Sequence, residues 1–372
     1  MDDLLVNFFY AHPVGHVIEA LYYANGHHAA GPGRRVSVAL NAAAPTELAG
    51  WCPSIATVHP IRHPFLDAGP ASYSDDMPRE WDCICDDFRR HQAIQLEMFP
   101  GMRDYYATSD ARLHARERRT VVGDSRVGYV PHTPLRLDLP ERARDAARST
   151  SDRPRIALLP AGSSEPSLYP SADSWLLVVD ALTRAIDGLQ IVLVGRSAAG
   201  ERTATSLDDG DRRRLLDHPS RPVDGFDRPI AEQLALVETC GAFLSPHTGF
   251  GMAALAVATP WLTLSGGRWF EYFFNHVPFR SIIPEPDRFP VFTQFDPAAV
   301  VTDRDGTART PTMTRARVES DLDRIVAAAV ELVDGSLGYD RALAEYFPAL
   351  LAAHGGDDSA IWSIDRIHER FL

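Results

Sequence analysis

A turn between an apolar run and a helix-forming segment contains residues suited to binding an anion. The stretch SPHTGFGMAALAVATP (245–260) predicts the end of a strand, a tight turn and a helix. A helix N-terminus exposes unpaired N–H groups, so the amides of Thr248, Gly249 and Phe250 suit a phosphate group. The Thr248 hydroxyl has two predicted roles, capping the helix or binding the same anion. The competing interpretation is a structural turn that needs only glycine and a threonine cap.

Other turns after apolar runs carry groups that bind phosphates or sugars. Ligands of open parallel sheets lie at the carboxyl ends of strands, so we expect the turns at 160–170, 194–197 and 246–251 to converge on one cleft. The segment SGGRWFEYFFNHVPF (265–279) adds two glycines, an arginine that suits a diphosphate and a glutamate that suits sugar hydroxyls. The residues concerned are Gly162, Ser163, Ser164, Arg196, Arg268 and Glu271.

Two histidines near the start of the chain are candidates for proton transfer. The turn AHPVGH (11–16) follows the apolar run LLVNFFY and precedes a segment with helical spacing. An unperturbed histidine has a pKa near 6.5, so it can accept and release a proton at neutral pH. His16 is the candidate base and His12 the weaker rival. The alternative is that His16 is a polar residue at a helix start with no catalytic role.

The elements around these turns predict an α/β protein of two doubly wound, Rossmann-like domains. Strands that are unbroken apolar runs are typical of parallel sheets covered on both faces, and strands alternating with helices predict right-handed βαβ units. Such strands are expected at 4–10, 34–41, 155–162, 189–195, 241–247 and 260–266. The predicted domains are 1–148 and 149–345, with a helical segment at 346–372 that packs back.

Composition excludes several function classes. The formal net charge of −13 argues against a generic nucleic-acid or membrane-surface binder. All 37 basic residues other than histidine are arginine, which excludes Schiff-base lysine chemistry and a phosphate-loop lysine. The four cysteines lack the spacing of a zinc site, and no apolar run approaches the roughly 18 residues that span a bilayer. We expect a cytoplasmic protein without a membrane segment, a metal or a cofactor.

The second domain resembles that of the inverting ADP-heptose:LPS heptosyltransferases, of the glycosyltransferase family 9 type, and of related GT-B glycosyltransferases. In that family an apolar strand ends in Asp-Thr-Gly-Pro before an alanine-rich helix, and here LSPHTGFGMAALAVATPWLTLSG has His247 in place of the aspartate. The turn GSSEPSLYP resembles the family's Gly-Ser or Gly-Ala turn, with Ser167 in place of its donor-phosphate lysine. The turn PVGHV resembles Leu-Gly-Asp-Val, with His16 in place of the aspartate that faces the acceptor.

This resemblance implies a GT-B fold, in which two Rossmann-like domains face an interdomain cleft. It implies an inverting, metal-independent transfer of a sugar, such as a heptose, from a nucleotide-diphosphate donor to a hydroxyl of a small-molecule or glycan acceptor. His16 would act as the base, and His12 and Gly15 would bind the acceptor. Domain 1–148 would bind the acceptor and domain 149–345 the nucleotide sugar. The implied donor-binding residues are Gly162, Ser163, Ser164, Arg196, His247, Thr248, Gly249, Phe250, Arg268 and Glu271.

Two other function classes fit the same architecture. A nucleotide-sugar 2-epimerase would need carboxylates around the sugar. A non-catalytic sugar-nucleotide-binding protein is suggested by the two histidines at aspartate positions, His16 and His247. The arginine-rich composition favours a role in natural-product or cell-surface glycan biosynthesis. The nucleotide base, the sugar, the acceptor and the oligomeric state stay open.

Overall fold

The chain folds into two compact units, Met1–Asp138 and Leu139–Leu372. The computed structural model describes residues 3–9, 11–63, 69–148, 152–197, 204–266, 273–290 and 299–372.

The first unit is built on a five-stranded parallel sheet. Its strands are β1 (Asp3–Phe8), β2 (Arg35–Asn41), β3 (Thr57–Ile61), β4 (Glu80–Asp86) and β5 (His114–Val121), in the order β3-β2-β1-β4-β5. Its helices are α1 (Val14–Ala29), α2 (Ala93–Met98) and α3 (Pro100–Arg112), with 3₁₀ turns at Thr46–Trp51, Phe88–His91 and Ser125–Val127. The strand order reverses between β1 and β4, which makes the carboxyl ends of these two strands the expected ligand site.

Helices cover both faces of this sheet. The face that carries Leu5 and Ile84 packs against Met102 and Tyr105 of α3, whereas α1 packs on the opposite face of β1 and β2. Both faces of β1 are therefore buried, which explains its unbroken apolar sequence.

The second unit contains a six-stranded parallel sheet. Its strands are β6 (Arg155–Leu158), β7 (Gln190–Leu193), β8 (Val223–Asp224), β9 (Ala242–Pro246), β10 (Trp261–Leu264) and β11 (Phe279–Ile282), in the order β11-β10-β9-β6-β7-β8. A small hairpin is formed by β12 (Val301–Thr302) and β13 (Ala308–Arg309). The strand order reverses between β6 and β9. In both units the reversal therefore lies between the first and the fourth strand in chain order.

The helices of the second unit complete the doubly wound arrangement. They are α4 (Glu141–Ala147), α5 (Ala172–Ala185), α6 (Asp209–Leu216), α7 (Ile230–Glu238), α8 (Gly249–Ala256), α9 (Arg315–Val333) and α10 (Tyr339–Ala353). Short 3₁₀ segments lie at Pro166–Leu168, Pro311–Met313, Asp358–Ala360 and Ile364–Arg370. In the described part of the chain, none of the helices is both long enough and apolar enough to cross a bilayer.

The predicted fold class is confirmed. Both sheets are parallel and doubly wound, and the strands expected from apolar runs are present. The C-terminal helix α10 packs on β11 of the second unit, where the ring of Tyr346 lies 5.3 Å from that of Phe279.

Candidate functional site

Two of the predicted turns meet at the switch point of the second unit. The strands β6 and β9 are neighbours, and the Leu159 amide donates to the Leu244 carbonyl over 3.0 Å. The turn that follows β6 therefore lies beside the turn that follows β9. A Cβ atom placed on Gly162 would lie 3.2 Å from Cγ2 of Thr248, so the two turns are in contact.

The third turn is joined to the first by a short connecting segment. The Arg196 amide donates to Oγ1 of Thr205 over 2.9 Å, and the Thr205 amide donates to the Arg196 carbonyl over 2.7 Å. The next residue, Ser206, donates its amide to the Gly162 carbonyl over 2.7 Å. The three turns therefore lie next to one another at this end of the sheet.

A buried tyrosine shapes the turn after β6. The Ser164 amide donates to the Tyr169 hydroxyl over 3.0 Å. A Cβ atom on Gly162 would lie 2.6 Å from the same hydroxyl, so only glycine fits there without a shift of the ring. Burial raises the pKa of Tyr169, so its phenol stays protonated and neutral at physiological pH. Ser163 and Ser164 are exposed, as residues that contact a ligand need to be.

The N-terminus of α8 has an unsatisfied hydroxyl. Thr248 is the N-cap residue with an extended backbone, but its side chain makes no capping hydrogen bond, so the predicted cap is wrong. Its Oγ1 atom is buried and has no hydrogen-bond partner within the described ranges. Gly249 and Phe250 form the first turn of α8, and the ring of His247 lies 5.9 Å from that of Trp261.

The close fit of α8 against β10 depends on Gly251. A Cβ atom at this position would lie 2.1 Å from the Trp261 ring, which is fixed by a 3.0 Å hydrogen bond from its Nε1 to Oγ of Ser245. We expect Gly251→Ala to lower the free energy of unfolding by about 1–3 kcal/mol, because the ring or the helix must move. Urea denaturation measures this. Gly50→Ala is the control, since nothing lies within 4 Å of the added methyl group, and equal losses in the two variants would contradict the packing argument.

Two of the predicted donor residues, Arg268 and Glu271, lie outside the described residues. A buried cation that the sequence did not predict lies beside the ends of β10 and β11, the strands that precede and follow these two residues. Arg317 of α9 is fully buried and donates through Nη2 to the carbonyls of Ser265 and Ile282, at the carboxyl ends of β10 and β11. Burial lowers the pKa of Arg317 to about 10, so it stays positively charged at neutral pH.

The predicted proton-transfer residues lie at the carboxyl end of β1. The helix α1 begins at Val14 after Pro13, which places Gly15 and His16 in its first turn. Gly15 is buried and His16 is half-buried. Burial lowers the pKa of His12, so this ring is neutral at physiological pH.

A buried ion cluster one turn further along α1 was not predicted. Nη2 of Arg89 lies 2.9 Å from Oε2 of Glu19, and its Nη1 lies 3.0 Å from Oδ2 of Asp87. Both carboxylates are completely buried. Burial raises the pKa of Glu19 to about 7 against the opposing effect of Arg89. Two buried carboxylates share one guanidinium, and burial also raises the pKa of Asp87, so full ionisation of both carboxyls is disfavoured.

A second polar network lies at the carboxyl end of β4. Asp86 accepts hydrogen bonds from Nδ2 of Asn7 at 2.7 Å, from Nε of Arg119 at 2.8 Å and from Nη1 of Arg90 at 3.0 Å. Tyr105 completes the network with a hydrogen bond to Oδ1 of Asn7. The only sequence signal for these residues is the pair of acidic residues directly after a strand, followed by paired arginines. This network fixes the switch point of the first unit.

Metal-ligating groups are not clustered in the described residues. No set of three or more His, Cys, Asp or Glu side chains there is placed to hold a metal ion.

Comparison with known proteins shows the fold. No protein-family model and no curated protein sequence matches the chain. The chain is similar to a solved glycosyl transferase family 9 structure from Veillonella parvula DSM 2008, at 11% identity over 90% of this chain and 98% of that one, with a TM-score of 0.58. It is also similar to the E. coli heptosyltransferase WaaC with ADP-2-deoxy-2-fluoro heptose, at 12% identity over 87% of this chain and 99% of that one, with a TM-score of 0.53. The chain has the GT-B fold of these proteins.

Proposed function

We propose that this protein is an inverting, metal-independent glycosyltransferase that moves a sugar, such as a heptose, from a nucleoside-diphosphate donor to an acceptor hydroxyl. The supporting observation is the switch point of the second unit, where three turns meet beside the buried Thr248 hydroxyl. Among the described residues, this hydroxyl has no hydrogen-bond partner. The fold shared with two solved glycosyltransferases, one of them holding an ADP-sugar analogue, supports the same proposal.

The donor diphosphate would bind at the N-terminus of α8. The amides of Gly249 and Phe250 and the positive end of the helix dipole attract an anion, and Thr248 donates its hydroxyl to it. The chain has no lysine, so arginines supply the remaining positive charge, and Arg196 and Arg268 are the proposed residues. The accompanying positions are Ser163, Ser164, His247 and, for sugar hydroxyls, Glu271.

In the proposed reaction His16 accepts the proton of the acceptor hydroxyl. The acceptor oxygen forms a bond to the anomeric carbon from the face opposite the leaving group, which inverts the configuration. The bond from that carbon to the phosphate oxygen breaks, and its electron pair leaves with the diphosphate. Preorganised N–H donors and arginines stabilise the leaving charge, so the proposal needs no metal. His12 and Gly15 would position the acceptor.

A thermal-shift screen tests donor binding. We expect one class among ADP-, GDP-, UDP- and dTDP-sugars to raise the melting temperature. Ligand at a hundredfold excess over Kd adds about 2.7 kcal/mol to the free energy of unfolding. If no donor class stabilises the protein, the proposal is wrong. A donor that binds but is neither transferred nor hydrolysed with any acceptor would instead identify a non-catalytic binding protein, and isomerisation of the donor sugar alone would identify an epimerase.

Replacing Thr248 by valine separates donor binding from stability. The hydroxyl makes no hydrogen bond to a described residue, so we expect Thr248→Val to leave the melting temperature of the free protein nearly unchanged. Loss of a hydrogen bond to a charged phosphate should raise the Kd of the sugar donor about tenfold or more. The matched control is Thr263→Val in β10, whose hydroxyl is also buried without a partner in the described ranges. Equal donor affinity in both variants would count against the proposed diphosphate position.

A further inference from the structure

The first unit contains a cavity that belongs to none of the predicted sites. Its volume is about 390 Å³, within the range of roughly 300–1,000 Å³ that is typical of small-molecule sites. It lies near the amino ends of β1 and β4, at the opposite end of these strands from the switch point. Its lining residues are Leu4, Arg34, Asp82, Cys83, Glu117, Arg118, Arg126, Val127 and Gly128.

The thiol of Cys83, a residue that is 8% exposed, lines this cavity, and the fully buried thiol of Cys85 lies beside it. Cys83 is the register partner of Leu4 on β1 and of Arg118 on β5, so the three side chains share one face of the sheet. Two residues later on the same strand, Sγ of Cys85 lies 3.9 Å from Sγ of Cys83. Both cysteines are free thiols. Cys83 therefore faces the cavity with a second sulfur beside it.

The charges around the cavity favour a thiolate on Cys83 and the approach of an anionic ligand. Three arginines and two carboxylates line the cavity; Asp82 is paired with Arg116 at 2.8 Å, and Arg126 is paired with Asp124 at 2.6 Å. The hydrogen bond with Cys85 has the largest effect and lowers the pKa of Cys83; burial opposes it, the charges of Arg34 and Arg118 lower the pKa further, and the charge of Asp124 raises it. Positive charge beside a thiol is the usual environment of a reactive cysteine.

The other cysteines have the opposite environment. The hydrogen bond with Cys83 and burial raise the pKa of Cys85. Burial also raises the pKa of Cys52, and it raises that of Cys240 to about 12. Sγ of Cys240 donates to the Leu236 carbonyl over 3.2 Å, which holds it as a thiol. These cysteines are therefore internal controls for Cys83.

We propose that Cys83 is a site of reversible modification by small anionic disulfides, which the arginines of the cavity attract. The Cys83 thiolate, having lost its proton to solvent, attacks one sulfur of the disulfide. A bond forms between that sulfur and Sγ of Cys83, the original S–S bond breaks, and its electron pair leaves on the departing thiolate. A reduced thiol reverses the exchange by the same route. This inference is independent of the proposed glycosyl transfer.

The test is reaction of the full chain with oxidised glutathione at neutral pH, followed by peptide mass spectrometry. We expect an adduct on Cys83 that forms at least about tenfold faster than any adduct on Cys52 or Cys240, and that dithiothreitol removes. Cys83→Ser should abolish this adduct. Cys85→Ala should slow it, because the hydrogen bond that stabilises the thiolate is lost. Absence of the adduct, or equal rates at all cysteines, would overturn the proposal.

A charge test separates attraction of the anion from simple thiol reactivity. Arg118→Gln removes an exposed positive charge from the cavity wall. We expect it to slow reaction with oxidised glutathione more than reaction with neutral hydroxyethyl disulfide, whose approach gains nothing from an arginine. Equal slowing of both reagents, or no slowing of either, would overturn the anion-attracting role of the cavity.

Discussion

Replacing His16 by alanine is expected to lower the rate of sugar transfer by about 100- to 10,000-fold, the usual contribution of a positioned general base. His16 is half-buried in the first turn of α1, directly after the carboxyl end of the central strand β1. Its removal leaves the acceptor hydroxyl without a proton acceptor. The donor contacts proposed for the second unit are untouched, so the donor-induced thermal shift should stay unchanged.

The experiment measures transfer with the donor identified by the thermal-shift screen. His12→Ala is the matched control four residues earlier, and we expect a smaller loss because His12 is proposed only to contact the acceptor. His16→Asp restores the residue type of the family that the turn resembles, and it should retain more transfer than His16→Ala. Wild-type transfer by His16→Ala would remove His16 from the mechanism. A larger loss in His12→Ala would assign the base to His12.

Replacing Arg89 by methionine is expected to lower the free energy of unfolding by about 3–5 kcal/mol. The side chain joins Glu19 of α1 to Asp87 after β4 by ion pairs of 2.9 and 3.0 Å, and both partners are completely buried. Removing the shared cation leaves two uncompensated buried carboxylates. Urea denaturation at neutral pH measures the loss. Arg35→Gln is the control, because its ion pair with Asp3 is exposed and contributes at most about 1 kcal/mol.

The same cluster predicts a pH dependence with a definite sign. The pKa of Glu19 is raised from 4.5 to about 7 in the folded protein, so the folded state binds more protons than the unfolded state between these values. The stability that this proton supplies is complete below pH 4.5 and is lost as the pH rises through about 7. Glu19→Gln cannot titrate, so we expect it to gain stability relative to the wild type across this window. A difference between the two proteins that does not change with pH would contradict the raised pKa.

The strands, and the turns that follow β6, β7 and β9, could be predicted because short stretches of sequence are enough to indicate them. The apolar runs of β1, β6 and β9 are unbroken, since both faces of a doubly wound sheet are buried. The start of α8 was recognisable from a glycine-containing turn between an apolar strand and an alanine-rich segment. Once these elements are assigned, the geometry of a parallel sheet brings their turns together.

The helix α3 could not be predicted because its buried face is not aliphatic. That face has helical spacing, but its members are Met102, Tyr105, Tyr106 and Ser109. In the sequence, two tyrosines and a serine at helical spacing cannot be distinguished from the exposed face of a helix or from a loop. The tyrosine rings pack in the hydrophobic cluster with Phe9, and the Tyr105 hydroxyl also reaches Asn7 of the polar network.

The buried charges were beyond sequence reasoning for a different reason. Arg89 and Glu19 are separated by 70 residues in the chain, and Arg317 reaches the Ser265 carbonyl across 52 residues. A charged residue in a helix is normally read as a solvent-facing one. Only the tertiary fold shows that these positions face the ends of the sheets.

In each sheet a central strand is the first one to be synthesised, β1 in the first unit and β6 in the second, and this order has a consequence for biosynthesis. Strand β1 pairs with β2 on one side, but on the other side Leu4 pairs with Cys83, and in the second unit Ile156 pairs with Ala242. While the chain emerges from the ribosome, one edge of each central strand stays open until β4 or β9 has been synthesised. An open apolar edge is a template for pairing with other chains. We therefore expect nascent chains that stall before residue 80, or between β6 and residue 242, to be the forms of this protein most prone to pairing with other chains.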